Sequence, residues 1–161
     1  MTERRIRERR KELKDVPWFT PETKVGQAVL KLGEQVYTGQ PAFALVVEHV
    51  GGGEEIVGTI TLDDVLREME NSIRNPNKVP IFWEGQFQEE ARRLMARPVA
   101  DIMSQVKCAL NQSGTLMEAL HIMNSNEVEY LVTLKGQNVS GLLMREDLYL
   151  ELIEIAQTPP P

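Results

Sequence analysis

Gly58-Thr59-Ile60-Thr61-Leu62-Asp63-Asp64 is written a second time, 83 residues on, as Gly141-Leu142-Leu143-Met144-Arg145-Glu146-Asp147. Each copy reads as a strand end, a turn and a helix start. A helix start leaves backbone N–H groups without intrahelical partners, and such groups suit an anion. The second copy carries Met144 where the first carries Thr61, so it is one hydroxyl short.

Outward from these copies, the flanking elements repeat as well. Thr20-Pro21-Glu22-Thr23 turns into a helix whose Val25, Ala28, Val29, Leu32 and Val36 recur at helical spacing and define one buried face. Gly39-Gln40-Pro41 breaks it. Phe43 to Glu48 is a Val-rich run that reads as a strand. Gly51-Gly52-Gly53-Glu54-Glu55 forms the hairpin loop and Ile56 to Ile60 the return strand. Leu62 to about Ile73 is a helix with Val65, Leu66 and Met69 facing inward. In the second half Thr115 caps a helix carrying Leu116, Ala119, Leu120 and Met123, with Glu118 completing a Thr-x-x-Glu capping box. Tyr130 to Leu134, the turn Gly136-Gln137-Asn138, and Val139 to Leu143 follow as a second hairpin. Leu148, Leu152 and Ile155 lie on the closing helix. The pattern is helix–strand–strand–helix, twice. A half of about 60 residues buries too little surface to stand alone, so the halves are expected to pack on each other.

Three segments fall outside the duplication. Residues 2–14 hold seven basic and three acidic side chains, with Ile6 and Leu13 as a thin apolar stripe. They predict a short surface helix over 1–14 with a solvated face, with an acidic partner or a dimer contact as its other uses. Asp15-Val16-Pro17 ends it. Residues 74–96 form a connector: Asn75-Pro76-Asn77 and Val79-Pro80 mark turns, and Phe87, Ala91, Leu94 and Met95 predict a short helix. Residues 157–161 read as a disordered tail. The expected repeats therefore run 15–73 and 97–156.

Composition narrows the function classes. The chain has 161 residues, 42 % apolar and 26 % charged, as in a globular protein. Its net charge of −6 argues against a general nucleic-acid binder. No apolar run reaches the ~18 residues of a membrane span, and no signal-peptide core follows Met1. A single cysteine, Cys108, cannot form an internal disulfide, and a cytoplasmic setting is the expectation. Cys108 reads as a small buried residue. His49 and His121 have no metal-ligand spacing to each other or to Cys108. Gly51-Gly52-Gly53 lacks the Gly-Lys-Ser/Thr of a phosphate loop. The methionines Met95, Met103, Met117, Met123 and Met144 read as adaptable filler. No activated nucleophile or acid–base pair is visible, so no enzyme is expected.

The arrangement resembles the cystathionine-beta-synthase domain (CBS domain), a module found as a tandem pair, the Bateman module. Four features carry the likeness: Gly-x-x-Thr-x-x-Asp at Gly58, Thr61 and Asp64; Asp101-Ile102-Met103; the Pro21-Glu22-Thr23 turn; and the apolar strand before each hairpin. The resemblance implies an α+β fold of two β-α-β-β-α repeats, packed as a pseudo-twofold pair around a cleft, with a short N-terminal helix added here. It implies a regulatory ligand-binding module, frequently a homodimer formed through its helices. The implied ligands are adenosine compounds: AMP, ADP, ATP or S-adenosylmethionine. A ligand-free protein-interaction module acting through its helical faces is the alternative.

Thr61-x-x-Asp64 fits two readings. In one, Asp64 accepts hydrogen bonds from a ribose diol while Thr61 and the helix start meet a phosphate. In the other, the pair is a capping box worth roughly 0.5–2 kcal/mol. In the second copy Asp147 keeps the ribose role open, and Met144 weakens a phosphate contact. By the resemblance, adenine would lie against Val16, Pro17, Ala44 and Leu45 in the first repeat, and near Lys107, Cys108, Glu129 and Tyr130 in the second. A core role for Leu45 and Tyr130 stands beside that reading.

Overall fold

The computed structural model describes residues 4–71 and 85–160. Asn75-Pro76-Asn77, Val79-Pro80 and the end of the helix expected to reach Ile73 lie outside the described residues. The chain is α+β and forms two compact units, one of residues 17–105 and one of residues 1–16 with 106–161.

The unit of residues 17–105 opens with β2 (Trp18–Phe19) and continues through α2 (Val25–Tyr37), β3 (Phe43–Val50), β4 (Gly53–Thr61) and α3 (Leu62–Asn71). After the connector come α4 (Gln86–Met95) and a 3-10 turn at Val99–Asp101. β2 runs parallel to β3, and β3 pairs antiparallel with β4. The hairpin is tighter than the sequence suggests. Gly51 and Gly52 alone make the turn, at φ +50° and +94°, a conformation open to glycine without a Cβ penalty. α2 stops in a Schellman motif: Gly39 has φ +74°, its N–H donates to Val36 O, and Gln40 N–H donates to Gln35 O. The core joins Val25, Ala28 and Leu32 of α2, Ala44, Val46 and Ile60 of the sheet, Val65 of α3, Leu94 of α4, and Val99 and Ile102.

The other unit has the same plan: β5 (Ala109–Asn111), α5 (Leu116–Ser125), β6 (Tyr130–Lys135), β7 (Asn138–Met144) and α6 (Arg145–Gln157). Its α5 is capped as expected, Thr115 Oγ1 accepting from Glu118 N–H at 3.0 Å. Its core gathers Cys108, Leu116, Ala119, Met123, Val128, Leu131 and Leu143 around Ile6.

The N-terminal segment departs from expectation. It is not a surface helix over 1–14. Among the described residues of this segment, only α1 (Ile6–Arg9) is α-helical, followed by β1 (Lys11–Glu12) and a 3-10 turn at Leu13–Asp15. The cause is competition for backbone groups. Ile6 and Arg7 donate their N–H groups to Gly114 O and Gln112 O, and Lys11–Glu12 pairs antiparallel with Leu142 and Gly141 of β7. Ile6 is wholly buried, while Leu13, its expected stripe partner, is 38 % exposed. The basic run is solvated only in part: Arg7 and Lys14 are exposed, while Arg9 keeps only 11 % of its side-chain surface and pairs with Glu151 and Glu154 of α6.

This segment is the counterpart of residues 97–104. Its sheet order is β1-β7-β6-β5. In the unit of residues 17–105, Ser104 bridges Thr59 at the same edge of β4. Both hairpins carry a bulge at one place, with Val57 and Ser140 extra just before Gly58 and Gly141. Arg97 pairs with Glu68 of α3 at 2.7 Å, and Arg4 pairs with Glu151 of α6 at 3.5 Å. Each repeat thus has a lead-in segment running along the edge of its hairpin.

Two inward assignments also change: Leu66 is 52 % exposed and Val36 48 %. On the helix expected from Phe87, Ala91, Leu94 and Met95, Phe87 is 71 % exposed. α4 instead turns Leu94 and Glu90 inward, the latter accepting from Arg93 at 2.9 Å.

Candidate functional site

The repeated glycines are explained by backbone proximity, since neither has a positive φ. A Cβ on Gly58 would lie 2.8 Å from Ser104 O and 2.8 Å from Met103 Sδ, and one on Gly141 would run into Lys11 O. Glycine therefore lets the lead-in backbone cross the end of β4 or β7. That crossing places one lead-in side chain beside the carboxylate that opens the following helix.

In the unit of residues 17–105, that side chain is Ser104. Its hydroxyl donates to Asp64 Oδ1 at 2.6 Å. Asp64 Oδ2 accepts from Thr61 N–H at 2.9 Å and from Thr61 Oγ1 at 3.0 Å. Thr61 Oγ1 accepts in return from Asp64 N–H at 3.2 Å. The capping box is formed, and both oxygens of Asp64 are engaged. An ionised carboxylate offers about four acceptor sites; three are in use, and Arg67 lies 3.6 Å from Oδ1. Asp64 is 7 % exposed. Phe43 stands opposite Thr61 in the hairpin and Ala44 opposite Ile60, so the strand expected to meet adenine runs beside this cap. Pro17 O accepts from Leu45 N–H at 2.9 Å. The side chains of Ala44 and Leu45 are wholly buried, which leaves backbone as the means of contact there.

The other unit places Lys11 where Ser104 stands. Lys11 Nζ donates to Asp147 Oδ1 at 2.9 Å, and Met144 N–H donates to Asp147 Oδ2 at 2.8 Å. Half of the capping box survives the change of Thr to Met, because the backbone donor does not depend on the side chain. Asp147 is 5 % exposed. The register corrects one expected equivalence. Val132 faces Leu142 as Leu45 faces Thr59, and Val132 N–H donates to Cys108 O as Leu45 N–H does to Pro17 O. The counterparts of Ala44 and Leu45 are thus Leu131 and Val132, not Glu129 and Tyr130. Cys108 is buried, in line with its expected packing role.

Of the residues singled out from sequence, Pro17, Ala44, Leu45, Thr61 and Asp64 fall in one unit, and Val16 and Asp147 in the other. Ser104 and Lys11 were missed. The available signal was an alignment of Arg4–Lys11 with Arg97–Ser104, hidden because Glu8-Arg9-Arg10 stands where Asp101-Ile102-Met103 stands.

Further along α6, charge is arranged in a clasp of Arg4 and Arg9 with Glu151 and Glu154. The hydrogen bond from Arg9, aided by Arg4, holds the Glu154 carboxyl below its ordinary value, and the same bond raises the Arg9 guanidinium. Among the described residues, no group of three or more His, Cys, Asp or Glu side chains could hold a metal ion.

Residues 11–71 match the CBS domain family. No curated protein matches the sequence. The chain is similar in fold to the CBS-pair protein CBSX2 from Arabidopsis thaliana, with a TM-score of 0.67 and 16 % identity over 98 % of this chain and all of that one. A structure of CBSX2 in complex with AMP gives a TM-score of 0.65 and 16 % identity over 95 % of this chain and 98 % of that one. A CBS-domain containing protein from Agrobacterium tumefaciens gives 0.63 and 13 % identity, over 90 % and 88 %.

Proposed function

We infer that the chain, whose residues 11–71 match the CBS domain family and whose fold is that of the CBS-pair protein CBSX2, is a regulatory module that senses an adenosine nucleotide. The carrying observation is Asp64, held at the start of α3 with its carboxylate oriented by Thr61 and Ser104. AMP, ADP, ATP and S-adenosylmethionine are the ligands to test, and CBSX2 in complex with AMP supports the class. Ribose hydroxyls would take the free acceptor site of Asp64 and that of Ser104, while N–H groups at the helix start would face phosphate. Repeat limits of 15–73 and 97–156 along the chain, with residues 97–104 serving as the lead-in of the first repeat's hairpin, regulation in place of catalysis, and a cytoplasmic setting belong to the same proposal.

A homodimer is part of it. α6 exposes Tyr149 at 63 %, Leu152 at 59 % and Ile155 at 61 %, and α5 exposes Met117 at 66 %. A groove between these helices is lined by Leu120, Leu148, Tyr149 and Leu152 together with Arg145 and Glu146. An apolar face of this kind on a folded domain marks an association surface, and a second copy meeting it through a twofold axis would cover both.

The test is thermal denaturation with each of the four ligands. A ligand at about 100 times its Kd adds about 2.7 kcal/mol, or roughly 5–10 °C for a chain of this size. A rise that survives Thr61→Val and vanishes in Asp64→Ala assigns the ribose role. The second reading, a protein-interaction module without ligand, is favoured by the internal partners of both carboxylates; no rise with any ligand at millimolar concentration would select it.

A further inference from the structure

We propose that Lys11 is the residue that closes the second half-site, so that the two repeats differ in ligand occupancy because of one lead-in position. The inference rests on the nucleotide reading above and deepens it. The lead-in segments run along equivalent edges, Ser104 opposite Thr59 and Lys11 opposite Leu142. Each reaches the Oδ1 atom of its repeat's carboxylate, at 2.6 Å from Ser104 and 2.9 Å from Lys11. The two occupants differ in chemistry. A serine hydroxyl is donor and acceptor together: it can keep its bond to Asp64 and still accept from a ribose O–H, or rotate away. An ammonium group has donors only. It offers a diol nothing to donate to, and its positive charge neutralises the carboxylate, which a serine hydroxyl does not.

Lys11 is also held in place. Gly141 admits its backbone at the strand edge, and Lys11–Glu12 is paired with β7. Asp147 is as buried as Asp64, each keeping 6 % of its side-chain surface, so the half-sites differ not in burial but in what occupies Oδ1, an ammonium group at Asp147 and a hydroxyl at Asp64. The missing hydroxyl at Met144 is therefore not the whole difference between the repeats, and Met144→Thr alone is expected to leave the second half-site closed.

Calorimetric titration of the full chain with AMP tests this. Wild type is expected to bind one AMP per chain, and Lys11→Ser about two, the second at least about tenfold tighter than any second event in wild type. Ser104→Lys is expected to remove the first. Lys11→Ala, with circular dichroism and melting checked, gives the same answer if Lys11→Ser does not fold. Two AMP already bound in wild type, or one AMP in wild type with stoichiometry unchanged in both Lys11 variants, overturns the inference and leaves the nucleotide reading standing. Weaker binding in Lys11→Ser overturns it too, because it would make Lys11 a phosphate ligand. No AMP bound by wild type or any variant sinks the nucleotide reading itself, and this inference with it.

Discussion

Gly58→Ala isolates the feature on which the site geometry depends. The added Cβ meets Ser104 O and Met103 Sδ, each at 2.8 Å. The thioether can swing away. The carbonyl cannot, because the lead-in is tied to β4 by Thr59 N–H to Ser104 O at 2.8 Å and Ser104 N–H to Thr59 O at 2.9 Å. Relief requires these two bonds to lengthen, and the Ser104–Asp64 bond with them. Two backbone bonds contribute about 1 kcal/mol each and a bond to a carboxylate about 1.5–3 kcal/mol. Alanine returns about 0.5–1 kcal/mol by restricting the unfolded chain. The net loss is about 2.5–4.5 kcal/mol, or roughly 5–18 °C in Tm. Gly33→Ala is the matched control. It lies within α2, a Cβ there meets nothing within 4 Å, and it is expected to gain about 0.5–1 kcal/mol. Both are read by thermal melting followed by circular dichroism. A Gly58→Ala protein melting within a degree of wild type would refute the claim that lead-in proximity requires glycine there.

Two further outcomes concern the rest of the chain. The Glu154 carboxyl lies below its ordinary 4.5 in the folded state, so its contribution is complete above that value and is lost as pH falls through the folded one. Tm measured from pH 7 to pH 3 should fall more steeply for wild type than for Glu154→Gln below about pH 4.5; parallel curves would show the clasp to be inert. Glu127 ends α5 at φ +53°, with Val128 N–H donating to Met123 O, the role Gly39 plays after α2. Glu127→Gly should relieve a left-handed strain of about 1 kcal/mol and raise Tm by roughly 2–4 °C, and a lower Tm would contradict that.

What the sequence disclosed was set by local chemistry. The hairpin at Gly51-Gly52, the stop at Gly39 and the cap at Thr115 were legible because glycine conformation and hydroxyl capping act within four residues. The lead-in strand was not, because Lys11-Glu12 is charged and is a strand only through its pairing with β7. Leu66, Val36 and Phe87 kept helical spacing yet lie exposed, since spacing gives a face but not what covers it. At the site, Thr61 and Asp64 were found as a pair three apart. Ser104 was missed because it lies 40 residues from its partner, and Lys11 because it lies 136 from Asp147.

The exchange of lead-in segments has a consequence for synthesis. Ile6 and Lys11 are made more than 100 residues before the hairpin and helix they dock on. At about 5–20 residues per second, the basic N-terminus waits several seconds without its partners, while the unit of residues 17–105 can close as soon as Ser104 emerges. Any cut placed between the two halves of the chain would leave each fragment carrying the other's edge.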